Sequence, residues 1–448
     1  MTKRSHSAEP KKAVRLNKPE RLQAEIHFES LDQRLELDHL ARLVWQFTLG
    51  LDLSPLYQAI EAVEGGAGRN ATEPRVLFAL WLYAALDNVN KARMLARLCE
   101  EHRAYEWLRG GVPINHHMLS DFRVQHGDLL EQLQADSLAG MLAEGLLTLE
   151  TVAQDGMRVR ANASAASLRR RPTLEESQRQ AKEYLDQLER DDDSAEGPEG
   201  DTENATPRQK AARERAAREK SQRIDKALEV VQQLALQREA RKKGDGKNAR
   251  ASTTDPDARK TKMADGGYRP AVNVQMATDA GSGLIVAMDV ISEGSDAGQM
   301  KPMVDTIEKH TGQRPNNMTS DGGYAIITDI EATESAGTTV YTPVKEEEKQ
   351  KLAGKDPFAP KRGDSPIIAA WRIRMGTEAA QALYRLRCQT AELSNARLRN
   401  QGIYQMQVRG LAKIKAALYW HVLVINMLRA HALRAAKSAA KSAKESAN

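Results

Sequence analysis

The chain has 448 residues, with 66 lysines and arginines against 61 aspartates and glutamates, a formal charge of +5. That length points to more than one folding unit, and so mild a basic excess means less than the places where it clusters. Two cysteines cannot form a metal cluster and suit a reducing compartment, the start MTKRSHSAEP is unlike a secretory signal, and no run reads as a membrane span. The expectation is a cytoplasmic chain.

In chain order, residues 1–35 read as a basic, flexible start, with Lys3, Arg4, Lys11, Lys12, Arg15, Lys18 and Arg21 opposed by Glu9 and Glu20. From 36 to 148 the pattern is helical. In EPRVLFALWLYAALDNVNKARMLARLCEEHRAYEWLRGG apolar residues recur at helical spacing, and Pro74 stands where a first turn accepts it. LSDFRVQHGDLLEQLQADSLAGMLAEGLL predicts a further helix. His116 and His117 are adjacent, point apart, and suit no metal.

At 151 the period changes. In VAQDGMRVRANAS, Met157 and Val159 alternate with Arg158 and Arg160, the two-residue period of a half-buried strand, with Asp155 in its midst. A charged interruption follows over 165–250. It predicts two helical stretches, the second with an apolar stripe of Ile224, Leu228, Val231 and Leu234. The acidic DDDSAEGPEGDTENATP between them predicts a mobile link, and the whole an antiparallel helical arm.

RPAVNVQMATDAGSGLIVAMDVIS then predicts two strands joined by a Gly-Ser-Gly turn. A helix (AGQMKPMVDTIEKHTG), a strand (NNMTSDGGY), a helix (IITDIEATESAG) and a strand (TTVYTPV) come next. Two helices, ALYRLRCQTAELSNARLRN and LAKIKAALYWHVLVINMLRAHALR, precede a basic tail over 431–448 with Arg434, Lys437, Lys441 and Lys444.

Asp155 and Asp321 both precede glycine and are expected near the C-terminal ends of their strands, where the crevice of an open sheet lies. Two carboxylates there repel one another unless a cation sits between them. A third acid from the adjoining helix would complete an oxygen-rich site for Mg²⁺ or Mn²⁺. Glu392 is the candidate. With about 100° per residue and Tyr384 at zero, Arg387 falls near about −60°, Glu392 near about 80° and Arg399 near about 60°. Leu383, Leu386 and Leu393 gather at roughly 180–260° and are expected to face a core. From Tyr384 to Lys415 there are seven basic side chains and one acid, Glu392. A lone acid in that setting suits metal-assisted chemistry on a phosphodiester. Asp289, Asp257 and Asp265 are read as structural, the last two as loop caps.

YRLRCQTAELSNARLR, with Tyr, Arg, Glu and a base in series, resembles the Tyr-Arg-Glu-Lys signature of bacterial insertion-sequence DDE transposases. QDGMRVRANAS, DPDARKTKMADGGYRPAVNVQMATD, SDGGY and QVRGLAKIKAALYWHVLVINMLR resemble further blocks of that family in the same order. GRNATEPRVLFALWLYAALDNVNKARML and INHHMLSDFR resemble its helical N-terminal domain. The resemblance implies an α/β fold: an RNase H-like mixed sheet flanked by helices over 149–430, interrupted by the 165–250 arm, after an all-α DNA-binding domain at 36–148.

It further implies that Asp155, Asp321 and Glu392 hold two Mg²⁺ or Mn²⁺ ions, with Tyr384 and Arg387 as helpers. Arg158, Arg160, Arg399, Arg409 and Lys413 are expected to lie toward DNA. The implied activity is cleavage and transfer of DNA strands at terminal inverted repeats, on double-stranded DNA, by a homodimer. Arg399 stands where the family pattern has lysine, and the Leu-Ser-Asn run after Glu392 departs from it. The rival expectations are a DNA-binding repressor without catalysis and a nuclease acting on RNA.

Overall fold

The computed structural model describes residues 28–62, 70–193 and 206–447. Most of the basic start and of the acidic link lies outside them. Helices α1 (Leu40–Leu49), α2 (Ser54–Gln58), α3 (Pro74–Leu86), α4 (Ala92–Glu101), α5 (Arg103–Arg109), α6 (His116–Gln125) and α7 (Gly127–Ala143) come first. In α3 nearly every side chain is apolar, and the helix is buried on all sides. Pro74 opens it, as its missing N–H permits. Leu35 is buried too, and Arg42 bonds the Asp32 carboxylate and the Leu35 carbonyl, so packing begins ahead of residue 36.

The strands are β1 (Thr151–Arg160), β2 (Leu168–Arg169), β3 (Ala251–Ser252), β4 (Arg259–Lys262), β5 (Tyr268–Asp279), β6 (Ile285–Ile291), β7 (Asn317–Thr319) and β8 (Thr339–Tyr341). β6 and β4 share one edge of β5, and the sheet continues through β1, β7 and β8. β6, β5 and β1 run antiparallel, whereas β1, β7 and β8 are parallel. This is the RNase H-like order. The β1–β7 pairing ends at Ala153↔Thr319, while β1 runs on to Arg160. Asp155 is therefore mid-strand rather than at the strand's end, two residues past the point where its parallel neighbour leaves.

The arm between β2 and β3 holds α8 (Arg171–Asp193) and α9 (Pro207–Arg241), which pack on each other. Thr206 and Gln209 form a capping box at the start of α9. Val231 is buried with Leu174, Ala227 and Val230, Leu228 and Leu234 pack against them, and Ile224 is buried as well. The β2–β3 ribbon closes the base of the arm, with Ser167 and Ser252 hydroxyls 2.7 Å apart.

One sheet face is covered by α10 (Met300–Thr311), α11 (Ile327–Ser335) and α13 (Pro366–Met375), the short α12 (Glu347–Leu352) falling between the last two in the chain. Their core joins Val152, Ala277, Val286, Met318 and Val340. The other face is covered by α14 (Glu378–Asn400), α15 (Leu411–Ala447) and the N-terminal helices. The latter bury Met157, Val274, Met276 and Met288 together with Phe78, Leu95 and Leu418 in one continuous cluster. The expected separate all-α domain is thus packed onto the sheet, with α15 wedged between. Contrary to the expectation from the sequence, α15 is long and apolar enough by composition to cross a membrane, yet 72% of its apolar 18-residue stretch is buried inside the protein. Its apolar sides answer to helices on one flank and strands on the other. The closing segment expected as a tail continues this helix to Ala447. Asp257 accepts from the Leu411 amide at the start of α15 and Asp265 from the Gly267 amide, as caps do, and Asp255, not singled out in the sequence, accepts from the Gly410 amide. Asp257 also pairs with Lys226 of the arm at 2.8 Å.

His421 of α15 is buried, its Nδ1 3.0 Å from Gln401 Oε1. Burial, with Arg123 nearby, pushes its pKa down to about 3. The folded chain then binds fewer protons than the unfolded one below about pH 6.5. Stability should fall as pH drops through about 6.5, by up to about 1.4 kcal/mol per unit, and keep falling toward 3. Urea midpoints across that range check this, and His421→Gln should flatten the slope between pH 6.5 and 5.

Candidate active site

Asp155 faces α14. Its Oδ2 accepts from Asn395 Nδ2 at 2.8 Å, and its Oδ1 from the Gly156 amide at 3.0 Å. Asp321 follows β7 and caps a short 3-10 turn, its Oδ1 accepting from Gly323 N at 2.7 Å. That cap, with Thr342 donating to the Asp321 carbonyl, leaves Oδ2 free to look across the crevice. Arg387 of α14 stands between the two acids. Its Nη2 lies 3.8 Å from Asp155 Oδ1 and 3.7 Å from Asp321 Oδ2. Its side chain is only 11% exposed, so this cation is fixed rather than waving in solvent.

Burial pushes the Asp155 carboxyl up. Arg387 and the Gly156 amide pull it down, while Asp321 and Asp296 add to the rise. Tyr384 sits half-buried beside the cluster, its phenol pushed up chiefly by burial, with Arg387 opposing and Asp321 adding.

Glu392 is exposed and, among the described residues, does not join the two aspartates in a group that could hold a metal ion. Asn395 takes the position against Asp155, and Glu392 lies about 60° around the helix from it. The leucine face is also reversed from expectation. Leu386 and Leu393 are 47% and 43% exposed, and the buried stripe is Ala380, Thr390, Ala391, Ser394, Asn395 and Leu398. Small side chains let the helix lie close to β1 and β5, where polar partners wait: Ser394 meets Thr278 at 2.7 Å. The Leu-Ser-Asn run that looked like a departure is the stretch that seats the helix. Asn395 was missed because an amide inside a helix carries no period of its own.

Of the residues expected toward DNA, Arg158 reaches the Lys262 and Gly294 carbonyls and Arg160 reaches Asp265 at 3.4 Å, both from exposed positions along β1. Arg409 donates to the Asn162 carbonyl at 3.1 Å. Arg399 and Lys413 are exposed on α14 and α15. Asp289 is tied to Lys415 at 3.3 Å, a structural pairing.

Asp155 and Asp321 offer hard oxygens on two sides of one cationic position, a donor set that suits a divalent ion. Among the described residues no group of three acids, histidines or cysteines forms a metal cage. Arg387 occupies the place between the pair, and Glu392 stands apart.

Residues 245–427 match the Transposase DDE domain and residues 29–125 match the Transposase domain (DUF772). No curated protein matches the chain. A solved pre-cleavage Mos1 transpososome aligns over 86% of this chain and 84% of that one at 10% identity, with a TM-score of 0.18, a likeness too loose to bear on the fold. The chain belongs to the DDE transposases.

Proposed function

We propose that the chain is the transposase of a bacterial insertion sequence, binding the element's terminal inverted repeats and cutting and joining DNA strands in the bacterial cytoplasm. The observation that carries this reading is the convergence of Asp155 and Asp321 on one cationic position, from β1 and from the turn after β7. Asp155, Asp321 and Glu392 would hold Mg²⁺ or Mn²⁺, two ions in the full site, with Glu392 the member that must move inward. When bound, such ions activate water and stabilise the leaving 3′ oxygen of an in-line displacement.

The protein's own groups set the stage for that step. Asn395 fixes the orientation of the Asp155 carboxylate, and the Gly323 amide does the same for Asp321. Arg387 offsets part of the pair's negative charge and presents a guanidinium suited to a phosphate oxygen. Tyr384 closes the flank and limits water. A freed 3′ hydroxyl then takes the attacking position on target DNA. Arg158, Arg160, Arg399, Arg409 and Lys413 would meet duplex phosphates, and pairing two ends calls for a homodimer.

Arg387 between the acids and Glu392 outside them favour a second reading, a DNA-binding protein that regulates without cutting. A labelled inverted-repeat end separates the two. Nicking that needs Mg²⁺ or Mn²⁺ is the expected result; tight binding with no cut in either ion leaves the regulator.

A further inference from the structure

Neighbours along a strand point to opposite faces, so Asp155 faces α14 while Gln154 and Gly156 face the other way. There lies a polar layer that the proposed chemistry does not use. Asp296, between β6 and α10, accepts at Oδ1 from Asn273 Nδ2 and from Gln275 Nε2, both at 2.7 Å. Gln275 in turn accepts from the Tyr324 hydroxyl and from Gln154 Nε2. Gln154, Asn273, Gln275 and Tyr324 are each at most 1% exposed.

Apolar side chains could fill this space without the cost of burying amides and a carboxylate. The bonds also have a direction. Gln154 is the residue before Asp155, and Tyr324 belongs to the turn that Asp321 caps. Gln275 ties both to Asp296. Two glycines allow the approach: a Cβ on Gly156 would run into the Asp296 carboxylate, and one on Gly323 would lie 3.6 Å from its Oδ2. Among the described residues no ion pair joins Asp296 to a lysine, arginine or histidine.

We propose that Asp296 is a positioning residue: through Asn273, Gln275 and Tyr324 it sets the spacing and orientation of Asp155 against Asp321. This rests on the reading of those two as the cutting acids. Asp296 acts as a hydrogen-bond acceptor, one oxygen taking both amides. Its charge is incidental to that role.

The test compares Asp296→Ala, which removes the acceptor, with Asp296→Asn, which keeps an acceptor oxygen and removes the charge. Three quantities are read on the full chain: cleavage of a labelled inverted-repeat end, affinity for that end, and deuterium exchange of the 319–326 segment. Asp296→Ala should slow cleavage by about 10- to 100-fold, the range for lost outer partners of a site, with affinity unchanged and faster exchange over 319–326. Asp296→Asn should recover most of both. Should the alanine variant fail to fold, Tyr324→Phe removes the Tyr324–Gln275 bond between the layer and the Asp321 turn and should show the same faster exchange.

Unchanged cleavage and exchange in Asp296→Ala would overturn the proposal. So would an Asp296→Asn variant as slow as alanine with its exchange protection intact, since charge would then be what matters. Loss of cleavage in Asp155→Asn, run alongside, tests the acids independently of Asp296. If the wild-type chain cuts nothing, the exchange comparison still decides whether Asp296 holds the turn.

Discussion

Asp155→Asn and Asp321→Asn are each expected to lower Mg²⁺-dependent cleavage of end DNA by about a thousandfold or more, with end binding retained. Each change keeps the volume and removes one of two negative oxygens that face a shared cation. Losing a metal-holding carboxylate costs several kcal/mol of transition-state stabilisation, and each ~1.4 kcal/mol is a factor of ten. Asn395 can still bond the new amide's oxygen, so the fold should hold. Glu392→Gln is the informative companion. As it lies in this structure Glu392 meets neither acid, so a loss as deep as that of Asp155→Asn means α14 brings it inward when metal and DNA are bound. A near-normal rate would leave two aspartates as the essential acids. Quantifying nicked product against time for the three variants distinguishes these outcomes.

Trp420→Ala should cost about 3–5 kcal/mol of stability, the range for deleting a buried large aromatic. Trp420 is 1% exposed, lies edge-on to Phe78 at 4.7 Å, packs on Phe122, and donates its indole N–H to the Arg123 carbonyl at 3.0 Å. It belongs to α15, yet every one of these partners lies in the N-terminal helices. Because those helices share a core with the sheet, the expected urea transition is single, shifted as a whole to lower denaturant. Two transitions, with only the earlier one moved, would mean the helices fold as a separate unit.

Most of the longer strands were readable along the chain, because β1, β5 and β6 alternate or run apolar and the hairpin turn is marked by glycine. β4 was not. Its RKTK is a charged edge strand, which gains its place from pairing with β5 rather than from burying a face. α13 was missed behind the charged run that precedes it, although PIIAAWRIRM is mainly apolar and Ser365 and Pro366 form a proper cap and first turn. Around the site, strand position placed Asp155 and Asp321, and helical spacing put Tyr384 and Arg387 on the side of α14 that faces them. The same spacing misjudged the leucines. Burial on α14 follows the closeness of approach to the sheet, so alanine, serine and asparagine are inside while Leu386 and Leu393 are out. Nor does local pattern tell whether a helix apolar on two sides, as α15 is, joins two units or lies inside one.

The wedge of α15 between the N-terminal helices and β6 has a geometric outcome. Under the proposed function, a grip on DNA made by those helices would stand at a set distance and angle from Asp155 and Asp321 instead of swinging on a hinge. Each base pair added between gripped sequence and cut adds ~3.4 Å of rise and turns the backbone by roughly 35°. The protein would therefore act as a rigid gauge, and the place of the cut would be counted off by the scaffold rather than searched for by a tethered arm.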